Sequence, residues 1–64
     1  MNYNAVITIE NEIRERTLIG KGTLPETIHS KTRIKEAEIG LILRELHESG
    51  GIYLTENGWK YKAF

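Results

Sequence analysis

The chain has 64 residues, in which nine lysines and arginines balance nine glutamates, with no aspartate and no cysteine, so the formal net charge is zero. That length holds one domain, spanning residues 1–64, with a core near the lower limit of unaided stability and no disulfide or thiolate metal site to reinforce it. Neutral charge excludes a bulk electrostatic grip on nucleic acid, so any such interface must be a local patch. The longest apolar stretch, Ile39 to Leu43, is interrupted by Gly40 and is too short to cross a bilayer, and Met1-Asn2-Tyr3-Asn4 offers no basic leader. The expectation is a cytoplasmic protein without membrane association.

In chain order, Val6, Ile9 and Ile13 stand at helical spacing over residues 4 to 17, with Glu10, Glu12, Arg14, Glu15 and Arg16 on the other faces. Val6-Ile7-Thr8-Ile9 is β-branched and equally fits a short strand, but the Glu/Arg-rich continuation favours helix. Gly20-Lys21-Gly22 ends this segment and leaves Leu18 and Ile19 to run extended. A second helix is predicted from Thr23-Leu24-Pro25-Glu26, where Thr23 caps, Pro25 fits the first turn and Glu26 closes a capping box. It reaches residue 30 or 31 and presents Leu24 and Ile28 inward. The third helix, 35 to 49, gathers Ile39, Ile42, Leu43 and Leu46 in one stripe and ends at Gly50-Gly51. Two strands, 52 to 56 and 59 to 63, flank Asn57-Gly58, a preferred pair for a two-residue type I′ turn. That turn pairs 56 with 59, 54 with 61 and 52 with 63. It places Ile52, Leu54, Trp59, Tyr61 and Ala63 on one face and Tyr53, Thr55, Lys60 and Lys62 on the other.

Ile28, Ile34, Ile39, Leu43, Leu46, Gly50 and Ile52 stand as apolar and glycine anchors along residues 23 to 64. With the order helix, short extended piece, helix, turn, helix, hairpin, this resembles the winged helix-turn-helix superfamily of transcription regulators. The resemblance implies a mainly helical α+β fold of three helices plus a C-terminal β-hairpin wing, with the helix-turn-helix at 24 to 49. It further implies a DNA-binding transcription regulator with its third helix in the major groove of double-stranded DNA. On this pattern Lys31, Arg33 and Lys35 in the turn and Lys60 and Lys62 on the wing hold phosphates. The base-reading face is Ala37, Leu41 and Arg44, continued by Glu48 and flanked by Gly40 and Glu45. Here the chain departs from that superfamily's habit of serine, threonine, arginine or asparagine. Ala37 and Leu41 make no hydrogen bond but can pack on a thymine methyl, Glu36 and Glu38 repel phosphate, and direct reading falls largely on Arg44. A domain this small is expected to act as two copies, with the Ile7 side of the first helix and the Leu41 patch as dimer surfaces.

The alternative is a winged-helix protein-protein interaction module docking through Ala37, Gly40, Leu41 and Tyr53, which suits the neutral charge. Gly40 on its own is equally explained by clearance for the first or second helix, and Lys60 and Lys62 by protection of a sheet edge. Trp59 and Tyr61 are expected to cover the core. His29 and His47 lie on different helices without a cysteine partner, so no metal is expected. Gly20-Lys21-Gly22 is too short for a phosphate-binding loop, and no catalytic constellation appears. The expectation is therefore no enzyme, no cofactor and no small-molecule site.

Overall fold

In a computed structural model describing residues 2–62, the β-branched run at 6–9 lies inside a helix, α1 (Tyr3–Leu18), so the strand alternative fails. The Asn2 side chain starts this helix by accepting the Asn4 and Ala5 backbone N–H groups at 2.9 and 3.4 Å, which satisfies two otherwise orphaned donors. The buried stripe is Ala5, Ile9 and Ile13, at a spacing of four, while Val6 packs at its edge, half-buried. Leu18 belongs to the helix and Ile19 is its C-cap. Both are exposed, because the chain turns at Gly20 (φ 78°) instead of running extended.

Helix α2 (Pro25–Thr32) begins with proline at its first position, as its sequence suggests, but Thr23 is not its cap. Thr23 pairs with Trp59 as an antiparallel bridge, donating its N–H to the Trp59 carbonyl at 2.9 Å and accepting the Trp59 N–H at 2.8 Å. Drawn into this pairing, its side chain is fully buried, and its hydroxyl finds no hydrogen-bond partner among the described residues. The capping box therefore does not form. Leu24 takes the N-cap position and is 46% exposed, not inward, which leaves Ile28 as the buried residue of α2. Helix α3 (Glu36–Glu48) buries Ile39, Ile42, Leu43 and Leu46, with Lys35 and Ser49 as its caps. Gly50 supplies the expected positive φ, 84°.

Strands β1 (Ile52–Thr55) and β2 (Gly58–Tyr61) form the two-stranded antiparallel sheet. Their register is Ile52↔Tyr61, Tyr53↔Lys60, Leu54↔Trp59 and Thr55↔Gly58, so the connecting pair is Glu56-Asn57, not Asn57-Gly58. A type I′ turn over Asn57-Gly58 needs positive φ at both. Among the described residues Gly58 has it (115°) and Asn57 does not. The Thr55 hydroxyl braces the turn, accepting the Asn57 N–H at 3.1 Å and donating to the Gly58 carbonyl at 2.8 Å. The slip preserves the two faces. Ile52 is buried and Trp59 and Tyr61 pack against the core as expected, but Leu54 is 62% exposed. With Thr23 bridged to β2, β1 is the outer strand, and Leu54 near its turn has no layer over it. Ala63, the expected partner of Ile52, lies outside the described residues.

One core thus gathers Ala5, Ile9 and Ile13 of α1, Ile28 of α2, the α3 stripe and Ile52, with Val6, Ile34, Trp59 and Tyr61 packed around it. Two contacts fasten α1 to the hairpin side. The Thr17 hydroxyl accepts the Tyr61 N–H at 2.9 Å, and the Arg16 guanidinium donates to the Gly22 carbonyl through Nε at 3.1 Å and Nη2 at 2.9 Å.

Candidate functional site

The segment between α2 and α3 is held from both sides. Ile34 packs against the core, its N–H donates to the Thr32 hydroxyl at 3.2 Å, and its carbonyl accepts Nδ1–H of His29 at 2.7 Å. The Thr32 hydroxyl in turn donates to the Ile28 carbonyl at 2.7 Å. This anchoring leaves Arg33 and Lys35 on the surface on either side of Ile34.

Both cations occupy positions that local structure does not favour. Arg33 is the α2 C-cap, in the left-handed region at φ 62°, the one non-glycine positive φ among the described residues. Glycine or asparagine is the usual occupant there, and another L-residue costs about 1 kcal/mol. Lys35 is the N-cap of α3 and makes no side-chain cap hydrogen bond among the described residues. Serine, threonine, aspartate or asparagine normally cap here, and a lysine sets its charge at the positive end of the helix dipole. Glu36 and Glu38 in the first turn offset that dipole, which gives them a structural role.

Beyond this turn, α3 exposes Ala37, Gly40, Leu41, Arg44, Glu45 and Glu48, with Leu41 52% exposed. A Cβ on Gly40 would meet nothing within 4 Å, so the glycine is not there to clear α1 or α2. On the hairpin, Tyr53 is 42% exposed and sits across from Lys60, which is half-buried, while Lys62 is exposed just past β2 with its N–H on the Gly51 carbonyl at 2.9 Å.

Lys31 behaves differently from its neighbours. It lies within α2, and its ammonium is 2.9 Å from the Glu12 carboxylate of α1, which is only 15% exposed. Among the described residues, Arg33, Lys35, Arg44, Lys60 and Lys62 take part in no ion pair. The arrangement is a helix face with a small apolar stretch, Ala37, Gly40 and Leu41, followed by the charged Arg44, Glu45 and Glu48, preceded by two cations unpaired among the described residues, with two more on the hairpin.

The sequence alone misses the left-handed backbone at Arg33, since a lysine/arginine-rich turn carries no glycine to announce it. It also misses that Tyr3 and Leu18 join Ile7 as exposed apolar residues of α1. Helical spacing sets the three on the side away from Ile9, a signal available in the sequence. No family model, curated protein or solved structure matches the chain.

Proposed function

We propose that the chain is a winged helix-turn-helix DNA-binding protein, a transcription regulator, that lays α3 in the major groove of double-stranded DNA. Arg33, Lys35, Lys60 and Lys62 meet phosphates, Lys31 stays paired with Glu12, and Ala37, Leu41 and Arg44 face the base edges. The observation that carries this reading is the pair Arg33 and Lys35: two cations at consecutive helix ends, exposed and unpaired among the described residues, each at a position where the backbone prefers another residue. Local strain retained at an exposed, charged position is a mark of function. The order α1, bridging Thr23, α2, α3, hairpin supports the winged-helix reading, with Thr23 as a one-residue strand beside the wing.

Binding of mixed-sequence duplex, followed by fluorescence anisotropy from about 50 to 200 mM salt, tests the reading. Arg33→Glu or Lys62→Glu is expected to weaken binding across all sequences and to flatten the log-log salt slope by roughly 0.9 for the phosphate lost. No binding at the lowest salt sinks the proposal.

The openness of Gly40 beside Leu41 favours a second reading, a protein-protein interaction module that docks through Ala37, Gly40, Leu41 and Tyr53. A chain that ignores duplex yet associates with protein or with itself, and loses that association in Leu41→Glu, selects this second reading.

A further inference from the structure

We infer that the duplex taken by this face is recognised through thymine methyl groups, with a guanine read by Arg44. The inference rests on the DNA reading above. A major-groove edge offers hydrogen-bond donors and acceptors at every base pair but one apolar group, the C5 methyl of thymine. On the α3 outer face Ala37 and Leu41, with Gly40 at their flank, carry no hydrogen-bonding side chain, so the chemistry these positions can match is that methyl. Arg44, one turn further on and exposed, presents the donor fork that fits O6 and N7 of guanine.

Spacing supports the assignment. Along the α3 axis, Ala37 and Leu41 are about 6 Å apart and Leu41 and Arg44 about 4.5 Å apart. Each interval covers between one and two base-pair steps of about 3.4 Å. The three side chains therefore span a short run in which two methyl contacts precede the guanine.

Gly40 supplies the other half of the argument. Glycine is a poor residue for a helix interior, and nothing in the chain lies within 4 Å of where its Cβ would stand. Packing within the molecule thus gives no reason for it. Beside a groove, the missing Cβ lets the helix backbone approach the base edges closely enough for the short Ala37 side chain to reach a methyl. Of the charges around this face, Arg33 and Lys35 precede it, are unpaired among the described residues and suit the phosphates beside a groove, while the exposed Glu45 and Glu48 oppose them.

The test compares two short duplexes of A·T pairs around a central G·C pair, identical except that one carries deoxyuridine in place of every thymine and so lacks only the methyl groups. Anisotropy titration of the full chain at low salt is expected to favour the thymine duplex by on the order of fourfold for each methyl buried. Leu41→Ala narrows that preference without disturbing the fold, since Leu41 lies outside the core. Gly40→Ala raises helix content by circular dichroism while weakening the thymine duplex in particular. Replacing the central guanine with 7-deazaguanine, which lacks N7, weakens the natural chain but not Arg44→Ala. Equal affinity for the thymine and deoxyuridine duplexes overturns methyl recognition and leaves DNA binding standing. An unchanged 7-deazaguanine titration overturns the role of Arg44, and absence of binding to any duplex overturns both readings together.

Discussion

At Gly58 the backbone takes φ 115° and a Cβ would lie 2.6 Å from the Thr23 carbonyl oxygen, whereas at Gly40 a Cβ would meet nothing within 4 Å. The first glycine belongs to the joint where β2 is bridged to Thr23. That joint is crowded throughout: Gly22 sits against the Asn57 carbonyl, Arg16 holds the Gly22 carbonyl, and Thr23 is buried even at the expense of its hydroxyl. The second belongs to the outer face of α3, where folding prescribes little. One region takes its residues from the demands of packing; the other is free to take them from a partner. The largest effect should fall in the joint. Gly58→Ala adds a Cβ against backbone and forces an L-residue into positive φ, for an expected loss of more than about 3 kcal/mol. In a 64-residue chain such a loss consumes most of the available stability. Thermal unfolding by circular dichroism, with Trp59 fluorescence reporting the bridge, measures it. A variant that melts like the parent would erase the contrast between the two regions.

Arg33→Gly sharpens the contrast from the other side. Glycine relieves the left-handed strain, while its freer unfolded chain returns much of the gain, so the net stabilisation should be no more than about 0.5 kcal/mol. Duplex affinity should fall at the same time, because a phosphate contact is lost. Urea unfolding and anisotropy on the same preparation separate the two effects. If Arg33→Gly loses stability, the guanidinium holds the turn together and its position reflects folding, not binding.

Periodicity made the helices legible. The α3 stripe of Ile39, Ile42, Leu43 and Leu46 can be read directly, and with it the exposure of Ala37, Leu41 and Arg44 on the far side. What escaped the sequence was settled by distant backbone. Thr23 followed by Glu26 carries a local capping signal, but Thr23 is claimed by Trp59, a pairing no window around either residue contains. Asn57-Gly58 fits two hairpin registers equally well by composition. The one adopted has Gly58 as the residue pressed against Thr23, where a side chain cannot fit. Leu24 and Leu54 were expected inside on alternation and spacing alone. Their exposure follows from where α2 starts and from which strand is outermost, both consequences of the same bridge. Within the candidate site, the cations were visible in the sequence but their backbone settings were not, and neither was the diversion of Lys31 to another helix.

That diversion gives the smallest effect and tests where the free region ends. Lys31 is near the turn in sequence, yet its ammonium is spent on Glu12, and its side chain remains 55% exposed. Glu12→Gln removes the opposing charge while keeping the length of the side chain and an oxygen able to accept from the ammonium. Because one partner is largely solvated, stability should change by no more than about 0.5 kcal/mol. Binding is the more sensitive readout. If Lys31 stands within reach of phosphate, releasing it should tighten duplex binding severalfold and steepen the log-log salt slope by up to about 0.9. An unchanged slope assigns Lys31 to the α1–α2 packing and limits the phosphate contacts of the turn to Arg33 and Lys35, the two residues whose backbone positions carry the proposal.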